Sequence, residues 1–220
     1  MSDVIITVRG EHELRVAPER ATVHLSVSQE GPDRQAVVDR TLTLAAPVRE
    51  GVVAREQTGA VTTWTSQRLA IHADRPWNNE GKRLAPIYRA SVDFTATFAD
   101  LSEMSVWTTE ISGWDGVTIT HVDWHLTPET EAEVEREVAT QAVGVAVARA
   151  RAYAQALGLE NVTALEIADR GLISEATAPA MMQAKAMRGA AFDMASAPPM
   201  EFQGEEISVA ATVEARFAAN

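Results

Sequence analysis

His121, Asp123 and His125 occupy alternate positions of THVDWHL, residues 120–126. That spacing places all three side chains on one face of a β-strand, about 6–7 Å apart from one to the next. Imidazole nitrogens and a carboxylate oxygen at such separations suit zinc or another divalent ion, and His-x-His on a strand is a workable bidentate pair. The simpler alternative is that the trio is the wetted side of a half-buried strand whose Val122, Trp124 and Leu126 turn inward. His72 and Asp74 repeat the arrangement elsewhere, and His24 has outward parity on its own strand. His12 falls on an otherwise apolar parity, which reads as a core or edge histidine.

Other chemistries are excluded by residue type. The chain has no cysteine, which removes disulfides, thiolate-bound metal and thiol catalysis together. Serine, histidine and aspartate are present, but no serine sits in a G-x-S-x-G setting. Phosphate-loop, dinucleotide and H-E-x-x-H patterns do not occur either. The acidic run PETEAEVERE, residues 128–137, reads as a solvated helix face whose carboxylates favour the positive end of the helix dipole. No catalytic residue is assigned, no cofactor is expected beyond that divalent metal, and the expectation is a protein that is not an enzyme.

The elements that would carry these residues follow from period and punctuation. Val4, Ile6, Val8, Gly10, His12, Leu14 and Val16 share one parity and predict a first strand; Ala21, Val23, Leu25 and Val27 predict a second. Gly31-Pro32-Asp33 opens a helix to about Glu56, with a kink, or two shorter helices meeting, expected at Pro47. A single strand is predicted over Val61–Ala73, and the turn-forming loop RPWNNEGKRLAP makes it a hairpin with the strand from Tyr88 to Phe98. Asp100 and Glu103 cap a short helix that Gly113 ends. Val117 and Ile119 are odd while Val122, Trp124 and Leu126 are even, so either a bulge near Thr120–His121 or exposure of Ile119 is predicted. Thr127-Pro128 begins the longest helix, which runs to Leu157 with Gly158 closing it. Strands over 162–168 and 207–217 complete the chain, and the two terminal strands are expected to pair.

This order gives an α+β fold: a ferredoxin-like βαββαβ unit over 18–127, and a second small lobe of the N-terminal strand, long helix and C-terminal strands (1–17 with 128–220). Three stretches, ITVRGEHELRVAPERATVHLSVSQEG, YRASVDFTATFADLSEM and ARARAYAQALGLENV, precede an Ala/Met/Pro-rich linker and EEISVAATVEARFA. In this order and spacing the sequence resembles the SIMPL-domain family across nearly its whole length, so 1–220 reads as one such domain. The resemblance implies a module without an established catalytic motif. Some members are tied to oxidative-stress defence, some are periplasmic or envelope-associated, and some form large homo-oligomers. His12 stands where the front block usually has a second glycine, and Pro47 interrupts the first helix.

The functional expectation is therefore a non-enzymatic, self-assembling SIMPL module acting in a stress response or in docking a protein partner. A metal- or small-molecule-binding protein using the His/Asp face, and an uncharacterised hydrolase or antioxidant enzyme, are the alternatives. A net charge of −12 disfavours nucleic acid and anionic lipid, both of which need a clustered cationic face. No apolar run is long enough for membrane insertion. MSDVIITVRG enters strand pattern directly, without the features of an export signal; the expectation is cytoplasmic, or periplasmic only if a precursor segment was trimmed. Residues 171–205 form a long Ala/Met/Pro-rich connection holding most of the chain's methionines. Met181, Met182, Met187, Phe192 and Met194 are read there as an arm that packs on a neighbouring subunit, with a disordered linker as the alternative.

Overall fold

Alternating apolar residues at both ends of the chain become long strands. The computed structural model describes residues 4–77, 79, 81–173 and 204–220. Among them, β1 (Val4–Val16) and β2 (Arg20–Gly31) precede α1 (Arg34–Gln57), β3 (Val61–Ser66), β4 (Ala70–Asp74) and β5 (Ile87–Phe98). Then come α2 (Leu101–Ser112), β6 (Val117–His125), α3 (Pro128–Ala156), β7 (Val162–Asp169) and β8 (Ile207–Ala219). The fold is α+β, with two antiparallel sheets. The predicted arm, with Met181, Met182, Met187, Phe192 and Met194, lies outside the described residues.

The described chain divides into two compact units, one holding β1, α3, β7 and β8, the other β2 to β6 with α1 and α2. In the second of these, the strands stand in the order β3-β5-β2-β6, with β4 also on β5. That is the antiparallel arrangement of a βαββαβ unit. Inward residues of β2 and β5, among them Val23, Leu25, Phe94 and Phe98, form its core with Val48 and Val52 of α1 and Met104, Trp107 and Ile111 of α2. Asp33 accepts a hydrogen bond from Ala36 N and starts α1. Asp100 accepts from Ser102 N and Glu103 N and starts α2. Each cap satisfies an amide that the helix itself leaves unpaired.

One expectation is narrowed here and another corrected. Of the two outcomes expected at Pro47, a kink or two shorter helices, the second is excluded: α1 is one helix with Pro47 inside it. Pro47 is exposed, so the carbonyl that loses its amide partner can be hydrated instead of stranded in the core. The strand expected over Val61–Ala73 is two strands, β3 and β4, separated at Gln67–Leu69 and both paired to β5. The break lets Trp64 stand opposite Ala96 and Ile71 opposite Ala90. Both therefore meet core-facing positions of β5 despite their opposite parities.

In the other unit, β8 lies between β1 and β7, with Ile6 opposite Phe217, Val8 opposite Ala215 and Gly10 opposite Val213. The pairing expected between the chain's two terminal strands is present. One face of this sheet is covered by α3 through Ala142, Ala146, Ala150 and Ala154, all essentially inaccessible. Alanines four apart form a smooth stripe that lets the helix backbone approach the sheet closely. At Gly10 the approach is extreme: a Cβ there would lie 1.9 Å from Ala142 O. On the opposite face, Arg9 donates to Glu214 at 3.1 Å, joining directly opposed residues of β1 and β8.

Candidate metal centre

Strand β6 pairs with β2 so that Thr22 faces Asp123, Val23 faces Val122 and His24 faces His121. The register shifts beyond this point: Leu25 pairs with Ile119, which leaves Thr120 as the extra residue. Of the two outcomes left open by the parity switch, the bulge is present, beside His121, and Ile119 is half-buried against the core. A bulge lets hydrophobic residues on both sides of it keep facing the core while redirecting the polar side chain at its edge.

Three polar groups converge on the outer face of this sheet. His24 Nε2 is 3.0 Å from Asp123 Oδ2, and His121 Nε2 is 3.3 Å from the same oxygen. The two imidazoles stack with centroids 4.0 Å apart and planes 11° from parallel. One donor atom from each residue lies within 4.8 Å of the others. Around tetrahedral zinc, with bonds near 2.0 Å, neighbouring donors stand about 3.3 Å apart; the separations to the carboxylate already match. The ring planes must tilt from their stack for both lone pairs to meet one ion. His121, with 53% of its side chain exposed, has room to do so.

A third strand orients the site. His24 Nδ1 is 3.5 Å from Thr95 Oγ1 on β5. With Nε2–H donating to Asp123, Nδ1 accepts from the threonine hydroxyl. If Nε2 were to hold a metal, the ring proton would sit on Nδ1 and the same hydroxyl would accept it. A polar partner on the far nitrogen is the usual device that fixes the tautomer and plane of a ligating histidine.

Of the residues singled out in the sequence, His121 and Asp123 are brought together, and His125 is not. Its Nε2 is 3.0 Å from Thr22 Oγ1, which is in turn 3.0 Å from Thr97 Oγ1. Asp123 lies between the two histidines of its strand and can lean toward one. It leans toward His121, where the neighbouring strand adds His24. The sequence signal for His24 was its outward parity; missing from it was the β2–β6 register. His72 and Asp74 are exposed on β4 and belong to no three-donor group among the described residues. His12 is half-buried.

A family model described as SIMPL, protein of unknown function (DUF541), matches residues 6–217. The chain belongs to the SIMPL family. The SIMPL match takes in both sheets and all three residues of the candidate centre. Its description assigns no activity to the domain, so the reading of the centre rests on its own geometry. No match was found among curated proteins. No helix among the described residues is long and apolar enough to cross a membrane.

Proposed function

We propose that this SIMPL domain is a binding module for a divalent first-row transition metal, held by His24, His121 and Asp123. The observation that carries the reading is the convergence of one ring nitrogen from each imidazole and one carboxylate oxygen within 4.8 Å. Two neutral imidazoles and a carboxylate form a donor set suited to zinc, nickel, copper(II) or iron(II). Three protein donors leave at least one coordination position open to water or an outside ligand. The half-exposed position of His121 and Asp123 gives an ion direct access from solvent.

The test is titration of the full chain with zinc by isothermal calorimetry. Wild type should bind one ion saturably. His24→Ala, His121→Ala and Asp123→Asn should each lower affinity at least about tenfold, in line with the effect of losing even an outer partner of a metal ligand. His125→Ala should bind like wild type. Absence of saturable heat with wild type, or zinc binding unaffected by the His24 and His121 changes, would overturn the proposal.

A further inference from the structure

Helices α1 and α2 meet around a polar cluster. Arg55 of α1 holds its guanidinium carbon 5.6 Å from the centroid of the Trp107 ring of α2. Its Nη2 is 3.0 Å from Glu103 Oε1 and 4.0 Å from Glu110 Oε2, and its Nη1 donates to Gly51 O at 3.1 Å. Glu103, Trp107 and Glu110 recur at helical spacing, which sets them on one face of α2.

Two donors in this cluster go unmet by the chain. Trp107 is 1% exposed, and neither its Nε1 nor Arg55 Nε, both inaccessible, has a hydrogen-bond partner among the described residues. An indole N–H and a guanidinium N–H can only donate. Leaving such groups buried and unpaired costs about as much as losing a hydrogen bond, so native proteins meet them with a chain acceptor or an ordered water. Gly51 shows where that acceptor fits. A Cβ there would have Trp107 Nε1 at 3.0 Å and Arg55 Nη1 at 3.6 Å as its two nearest neighbours. The space beside Gly51 is therefore bordered by the indole nitrogen and the guanidinium.

Charge selects the acceptor. The N–H donors and the guanidinium repel a cation, while Glu103 and Glu110 outnumber the one guanidinium and oppose an anion. A small neutral group that accepts and also donates suits the cluster, and water needs two to four such polar partners to stay bound.

We infer that an ordered water is bound between α1 and α2, accepting from Trp107 Nε1 and Arg55 Nε and donating to the Glu110 carboxylate. At 4.0 Å from Arg55 Nη2, that carboxylate is too far for a direct hydrogen bond, and the water gives it a donor. The water makes the cluster a continuous tie between the two helices that cover this sheet. None of these residues belongs to the metal centre, so the two readings stand or fall separately.

The test is NMR of the full-length, isotope-labelled protein without added metal. The Trp107 indole proton, assigned by the loss of its signal in Trp107→Phe, should show a cross-peak to water that changes sign between NOE and ROE spectra. A bound molecule gives that reversal and proton exchange does not. Gly51→Ala puts a methyl group into the space; it should abolish the cross-peak and move the indole proton upfield, with unchanged circular dichroism. Gly51→Ser supplies a hydroxyl in place of the water, so the cross-peak should vanish while the indole proton keeps its downfield, hydrogen-bonded shift. A wild-type indole proton without water contact overturns the inference, and that measurement depends on no variant folding. A cross-peak that survives Gly51→Ala overturns it too, as does a crystal structure in which Glu110 accepts directly from Trp107 Nε1.

Discussion

Individual side chains here act through which neighbour they reach. Glu13, on β1, accepts from Ser208 Oγ on β8 at 2.7 Å. That hydrogen bond holds the carboxyl below its ordinary value of 4.5, against the opposing effect of desolvation and with further help from Arg15. A depressed folded-state value means the ionised form favours the fold. Its contribution is present above the unfolded value and is lost as pH falls through the folded one. Ser208→Ala should move the Glu13 titration upward toward 4.5, read by NMR of its side-chain carboxyl carbon. Any stability difference between the two proteins should disappear in acid, where Glu13 is protonated in both states. A Glu13 titration unchanged by the substitution would show that the Ser208 contact does not form in solution. The candidate metal site obeys the same logic: Asp123 is shared by His24 and His121, while His125 is occupied by Thr22.

At the scale of elements, close approach replaces bulk. The α3 stripe of Ala142, Ala146, Ala150 and Ala154 buries little apolar surface per residue, but it brings helix backbone against β1 at Gly10. Leucine at those positions would gain area and lose the approach. The Gly10→Ala change puts a methyl group 1.9 Å from Ala142 O and 2.7 Å from Ala146 N, both backbone atoms that no rotamer change can clear. The expected cost is about 3 kcal/mol, the upper part of the usual range for overpacking; urea unfolding followed by circular dichroism would measure it. A loss under about 0.5 kcal/mol, the level of an ordinary surface change, would mean that α3 stands farther from β1 than described.

For the whole molecule, the consequence of two units is that a ligand reports on the one that holds it. His24, His121 and Asp123 all belong to the unit containing Ala17–Thr127. A ligand at a hundredfold excess over its dissociation constant stabilises its host by about 2.7 kcal/mol. Saturating zinc should therefore slow amide hydrogen exchange in β2, β5 and β6 more than in β1 and β8. Equal protection in both sheets, or none, would contradict binding at this centre.

The sequence by itself determined features whose causes lie within one turn or one strand. Period-two alternation specified β1, β2, β5 and β8, aspartates at Asp33 and Asp100 specified helix starts, and the parity switch in VTITHVDWH reduced that strand to two outcomes, of which the bulge at Thr120 is the one present. These are local because a side chain's face depends only on its own backbone. Tertiary structure decided what crosses between elements. The split of β3 from β4 depends on what β5 presents to each, and the passage of α1 through Pro47 depends on which side of the helix meets solvent. The candidate centre depends on register. His24 and Asp123 are 99 residues apart along the chain and meet because the β2–β6 ladder sets Thr22 against Asp123; a slip of one residue would turn His24 to the opposite face. THVDWHL supplied two of the three donors, and strand pairing chose His24 over His125 as the third.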